Sequence, residues 1–102
     1  MPVLNDGIGE DKKRAPKAYI SIDIDVLDPG FAPATGTPEP GGFAPIDLLR
    51  IVRRLTLELD VVGFDIMEVA PAYDHADVTV NNAHRLIWEF FAAMAVKNRD
   101  KR

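Results

Sequence analysis

The residues with the clearest chemical potential are carboxylates. Asp23 and Asp25 are two apart in Ser21-Ile22-Asp23-Ile24-Asp25, so on a continuing strand both would point to one face while Ile22 and Ile24 point to the other. Two ionised carboxylates held that close on an apolar strand repel each other and lose hydration, so either one protonates or a cation neutralises the pair. A divalent metal satisfies both. The competing reading is a solvated strand end running into an Asp28-Pro29 turn, and the Asp-x-Asp spacing alone favours it, since acidic strand ends are common. Glu68, at the end of a second apolar run, would by itself read as a surface glutamate. Asp28 suits a structural turn carboxylate better than a third ligand. His75 follows Asp74 in a loop and reads as a hydrogen-bonded structural group, and His84 reads as a packing or surface residue on a helix. Cysteine is absent, which removes disulfides, thiolate metal sites and a cysteine nucleophile and leaves oxygen and imidazole ligands for any metal.

These groups need elements to hold them. Residues 1–17 form a polar lead-in without sustained periodicity. Ala18 to Ile24 is a short run with Tyr19, Ile20, Ile22 and Ile24, the composition of a buried strand. From Asp28 to Pro45 lie five of the eight prolines and four of the seven glycines, which predicts a long but stiff loop. Leu48, Val52, Leu55 and Leu59 then recur at helical steps, with Pro45 suited to the first turn. Val61 to Val69 predicts a second strand, so strand, helix and strand form a βαβ unit with parallel strands. After a turn over Pro71 to Asp77 comes a last helix, with Asp77 or Thr79 as its N-cap and Val80, Ala83, Ile87, Phe90, Phe91 and Met94 as its apolar stripe. Residues 98–102 form a basic tail. Parallel sheets are normally built from several strands and covered on both faces, whereas only two strands are visible. The 18–97 region is therefore expected to be a piece of a larger α/β domain or to need a partner chain.

Bulk properties exclude several functions. At 102 residues and 47% hydrophobic content the chain fits one domain. A net charge of −4, with basic residues gathered only at Lys12, Lys13 and Arg14 and at Lys97, Arg99, Lys101 and Arg102, leaves no footprint for a nucleic-acid binder. No apolar run reaches the length of a membrane span, and the opening residues lack the features of a secretory signal, so the expected setting is cytoplasmic. No Gly-rich phosphate cradle precedes a helix, which disfavours a Mg²⁺-carboxylate phosphotransfer module.

The run from Ser21 to Gly42 resembles the signature of the ureohydrolase family, the agmatinases, arginases and relatives that act on guanidino or amidino compounds. The match falls at Ser21, Asp23, Asp25, Asp28, Pro29, Pro33, Thr35, Gly36, Thr37, Pro38 and Gly42. It continues through Gly63 to Pro71 and through Tyr73-Asp74-His75-Ala76, a stretch more agmatinase-like than arginase-like, and covers roughly residues 18–95. The resemblance implies an α/β fold, the C-terminal βαβ-α portion of a three-layer α/β/α parallel-sheet (arginase-like) domain, incomplete on its own. It also implies that Asp23 and Asp25 ligate a binuclear manganese centre (Mn²⁺), that Glu68 pairs with the guanidinium group of a small substrate, and that Thr37 helps orient it. A carboxylate suits that partner because it meets the planar cation in bidentate fashion. The implied reaction is attack of an activated water on the guanidinium carbon, releasing urea and an amine. The family's Gly-Asp-His and Asp-Ala-His-x-Asp segments are absent from this sequence, so the remaining ligands and the acid/base group are expected from outside it, and no catalytic residue is assigned here. The complete enzyme is expected to be a homo-oligomer. The alternative is an inactive truncated fragment acting only as a structural or interaction module.

Overall fold

In the computed structural model, which describes residues 17–100, the chain runs β1 (Lys17–Asp23), α1 (Pro45–Glu58), β2 (Asp60–Met67) and α2 (Val78–Asp100). Short 3-10 turns lie at Ile24–Val26 and Pro71–Tyr73. Of the lead-in read over 1–17, only Lys17 is among the described residues, and it opens β1. Lys101 and Arg102 fall outside them too, while the tail residues 98–100 are part of α2.

The strands are parallel neighbours, as the βαβ order predicts. Ile20 pairs with Phe64, Ser21 with Asp65, Ile22 with Ile66 and Asp23 with Met67, and the register slips once between Ala18 and Tyr19. Alternation gives the sheet two unlike faces. Ile20 and Ile22 are buried in one cluster with Leu48 and Val52 of α1 and Ala83 and Leu86 of α2, and Phe64 stacks on Phe90 with ring centroids 4.4 Å apart. The other face is open: Tyr19 and Ser21 are exposed there, their hydroxyls donating to the two oxygens of Asp65 at 2.8 and 2.7 Å. Gly63 makes room for the Tyr19 ring, since a Cβ at that position would come within 2.4 Å of it.

The α1 helix begins as expected with Pro45 in its first turn, where a missing N–H costs nothing. Its last carbonyls are occupied by a residue far along the chain, because Lys97 Nζ donates to the carbonyls of Thr56 and Leu59. The two helices are tied by a buried carboxylate. Glu89 accepts from Arg53 at 2.5 Å and from Arg85 at 2.9 Å. Burial pushes its carboxyl pKa up, but the two guanidinium groups outweigh that and hold it below the ordinary value.

Two expectations for α2 need correction. Neither Asp77 nor Thr79 caps it through its side chain. Asp74 does, accepting from the amides of Thr79 (3.1 Å) and Val80 (3.0 Å). Its buried stripe is also rotated from the apolar one. Thr79, Ala83, Leu86, Glu89 and Ala93 are buried, whereas Phe91 is 57% exposed. Polar residues occupy core-facing positions because each has its hydrogen-bond partners there, and that hides the true face from an apolarity count.

Among the described residues both strand edges lie open beside apolar grooves. One of about 430 Å³ is lined by Ile20, Ile22, Val26, Phe43, Ile51 and Leu55, and another of about 410 Å³ by Val62, Phe64, Ile66, Ile87, Phe91 and Met94. A two-stranded sheet with one bare face and two open edges is an incomplete α/β domain.

Candidate functional site

Parallel pairing brings the carboxyl ends of β1 and β2 together, and open α/β sheets place ligands outside those ends. Asp23 is the last residue of β1, opposite Met67. The strand does not continue through Asp25, so alternation cannot be what places the two aspartates. Instead Ile24 turns inward, fully buried, and the Asp23 side chain accepts the Asp25 amide at 3.3 Å to cap the 3-10 turn. A short polar side chain offering the backbone a local partner is a common way to end a strand.

Thr37 reaches the same place from the long loop, its hydroxyl donating to Asp25 Oδ2 at 2.8 Å. That reach depends on the loop closing on itself. Phe43 N–H donates to the Val26 carbonyl (2.8 Å) and Asp28 N–H to the Phe43 carbonyl (3.0 Å), a parallel bridge between Leu27 and Phe43. The Asp28 carboxylate spans the closure, accepting from the amides of Gly30 (2.9 Å) and Gly41 (2.8 Å). These backbone donors, Gly30 first, hold its pKa below the ordinary value. Asp28 is thus a turn carboxylate, as read. Gly41 has φ +88°, and a Cβ on Gly42 would lie 2.6 Å from the Val26 carbonyl oxygen.

Glu68 follows Met67 directly and is exposed, with φ +69°. A left-handed conformation in a residue other than Gly, Asn or Asp is uncommon and costs about 1–2 kcal/mol, and such strain gathers at functional positions. Ala76 (φ +52°) and Asp77 (φ +59°) share the conformation in the turn before α2. Asp74 holds that turn. Burial would raise its pKa, but the Val80 amide, the Thr79 hydroxyl and amide, and the His75 amide together bring it below the ordinary value. His75 itself is exposed, its backbone donating to Asp74 and accepting from Val78. His84 is exposed on α2 and accepts from Trp88 Nε1 at 2.7 Å.

Asp23, Asp25 and Thr37 are therefore linked through hydrogen bonds, and Glu68 stands one residue beyond the partner of Asp23. Asp23 and Asp25 each receive one hydrogen bond at a single oxygen, and an ionised carboxylate has about four lone-pair sites, so acceptor capacity remains for a hard cation. Among the described residues no group of three or more His, Cys, Asp or Glu is placed to hold an ion. The pair fits manganese as two oxygen donors of a larger set. Sequence reading missed Asp74 and Thr79 as the groups that brace this region. The available signal was an aspartate opening a turn ahead of a helical run.

Residues 3–93 match the arginase family. The chain is similar to the agmatinase of Neisseria meningitidis, 56% identical over 61 residues that make up 60% of this chain and 20% of that one. Among solved structures it is similar to proclavaminate amidino hydrolase from Streptomyces clavuligerus, with TM-score 0.78 and 42% identity over 92% of this chain and 31% of that one. It is likewise similar to the agmatine ureohydrolase of Thermoplasma volcanium, with TM-score 0.76 and 38% identity over 95% of this chain and 32% of that one. The chain thus spans about a fifth of the length of the curated relative.

Proposed function

From the premise that this chain belongs to the arginase family, we propose that it supplies one wall of a site that hydrolyses a small guanidino compound of the agmatine type to urea and an amine. The observation that supports the reading is the Thr37–Asp25 hydrogen bond just past the carboxyl end of β1, with Glu68 following the last residue of its parallel neighbour β2.

In this reading Asp23 and Asp25 hold manganese, which when bound supplies positive charge and water activation. Thr37 holds the Asp25 carboxylate by donating to Oδ2, and in this reading it also helps orient the substrate. Glu68 pairs with the guanidinium fork, whose planar donors match a carboxylate in two places at once. Holding the cation in line converts binding energy into orientation. The remaining ligands and the acid/base group belong to other parts of a complete enzyme, which this reading takes to be a cytoplasmic homo-oligomer.

The test is manganese-dependent urea release from agmatine, arginine and guanidinobutyrate by this chain joined to the upstream portion of a similar agmatinase. Release from agmatine is expected, and urea from none of the three would sink the reading. The two open strand edges favour a second reading, an inactive fragment that acts only through association. Calorimetric titration of that completed chain with manganese separates the two. Tight binding that disappears in Asp23→Ala argues against a merely structural remnant, because two aspartates alone bind weakly.

A further inference from the structure

Ala34 is fully buried and gripped from both sides. Its N–H donates to Thr79 Oγ1 at 3.0 Å, and its carbonyl accepts the Ala70 N–H at 2.9 Å. The first bond ties the long loop to the start of α2, and the second ties it to the segment that leaves β2. Thr79 is itself fully buried, and its amide donates to the Asp74 carboxylate that caps the helix, at 3.1 Å. One threonine therefore joins a loop amide to a capping carboxylate. A second tie between the same elements runs from Asn82 Nδ2 to the Phe31 carbonyl, at 2.7 Å.

The geometry points to Thr79 as a positioning residue of the site, one that sets the placement of Thr37 against Asp25 by gripping Ala34. The inference rests on the functional reading above for the identity of Thr37 and Asp25 as site residues. Thr37 lies three residues beyond Ala34, and Glu68 lies two before Ala70, so the grip on Ala34 is shared by the loop that carries one and the segment that carries the other. Packing alone does not require a threonine here. Valine has nearly the same shape, but it would leave the buried Ala34 N–H without an acceptor, and a buried donor left unpaired is costly. The hydroxyl, rather than the volume, is what the loop uses.

The test is NMR on the full 102-residue chain and its Thr79→Val and Thr79→Ser variants. In the parent, three-bond couplings of Thr37 should report a single χ1 rotamer, the one that reaches Asp25. In Thr79→Val, the Ala34 and Ala70 amides should exchange on the order of tenfold faster and the Thr37 couplings should average, while the ladder amides between β1 and β2 stay protected. Thr79→Ser should restore both. A single Thr37 rotamer in Thr79→Val overturns the proposal, as does equal loosening of the ladder, which would make Thr79 a stability residue only. If Thr79→Val does not fold, warming the parent below its unfolding transition decides instead: Ala34 exchange and Thr37 averaging must rise together, and their separation overturns the proposal. Failure of the urea assay would leave these outcomes unchanged, so the two readings fail separately.

Discussion

The loop after β1 and the loop after β2 leave the same end of the sheet, and each is held by one aspartate, but they are held to different things. Asp28 ties its loop to itself, joining the amides of Gly30 and Gly41 across the closure. Asp74 ties its loop to the next helix, joining the amides of His75, Thr79 and Val80. The first loop can therefore close its own base, although its middle is held by α2 at Phe31 and Ala34, whereas the second is only as ordered as the helix it caps. Thr37 rides on the self-closed loop and Glu68 at the root of the helix-bound one. A site assembled from both depends on α2 at each wall, through the Ala34 grip on one side and the Asp74 cap on the other.

The largest expected effect comes from breaking the self-closed loop. Gly42→Ala forces a Cβ against the backbone of Val26, Leu27 and Asp28, and overpacking of this kind costs about 1–3 kcal/mol. Denaturant unfolding should show that loss, while the amides of Thr79 and Val80 keep their protection because the helix cap is separate. A smaller fall in melting temperature is expected for Asp74→Ala, and a smaller one still for Asp28→Ala, since Asp74 joins two elements and Asp28 only the ends of one loop. Equal falls in calorimetry would mean that the loops are held alike. The smallest effect is a pH dependence common to both. Asp28 and Asp74 have folded pKa values below the ordinary carboxylate value, so their stabilisation is complete above that value. It declines as the pH falls below it and is gone beneath the lowered folded values. Unfolding midpoints measured down the acid range should fall less steeply in the double variant Asp28→Asn/Asp74→Asn.

The same contrast explains what could be read from sequence. Prolines and glycines between Asp28 and Pro45 announce a stiff loop because their restrictions and freedoms are local. The parallel βαβ unit was legible for a similar reason, each element carrying its own periodicity. Asp74 was not, because its role depends on amides five and six residues ahead, beyond a turn with two left-handed residues. Glu89 escaped notice because a charged residue on an amphipathic helix normally faces water, and Arg53, 36 residues away, joins Arg85 in making its burial tolerable. Asp23 and Asp25 were read on a continuing strand, whereas Asp23 ends β1 and its side chain caps the 3-10 turn that holds Asp25.

The left-handed backbone at Glu68 carries a consequence for inheritance. Glycine adopts that conformation without penalty, so folding and chemistry prefer different residues at the same place. In the genetic code every glutamate codon becomes a glycine codon by one base change. A lineage released from the need for a carboxylate here would have a single mutational step toward a more relaxed chain, and what happens at this codon over generations would record whether the chemistry is still in use.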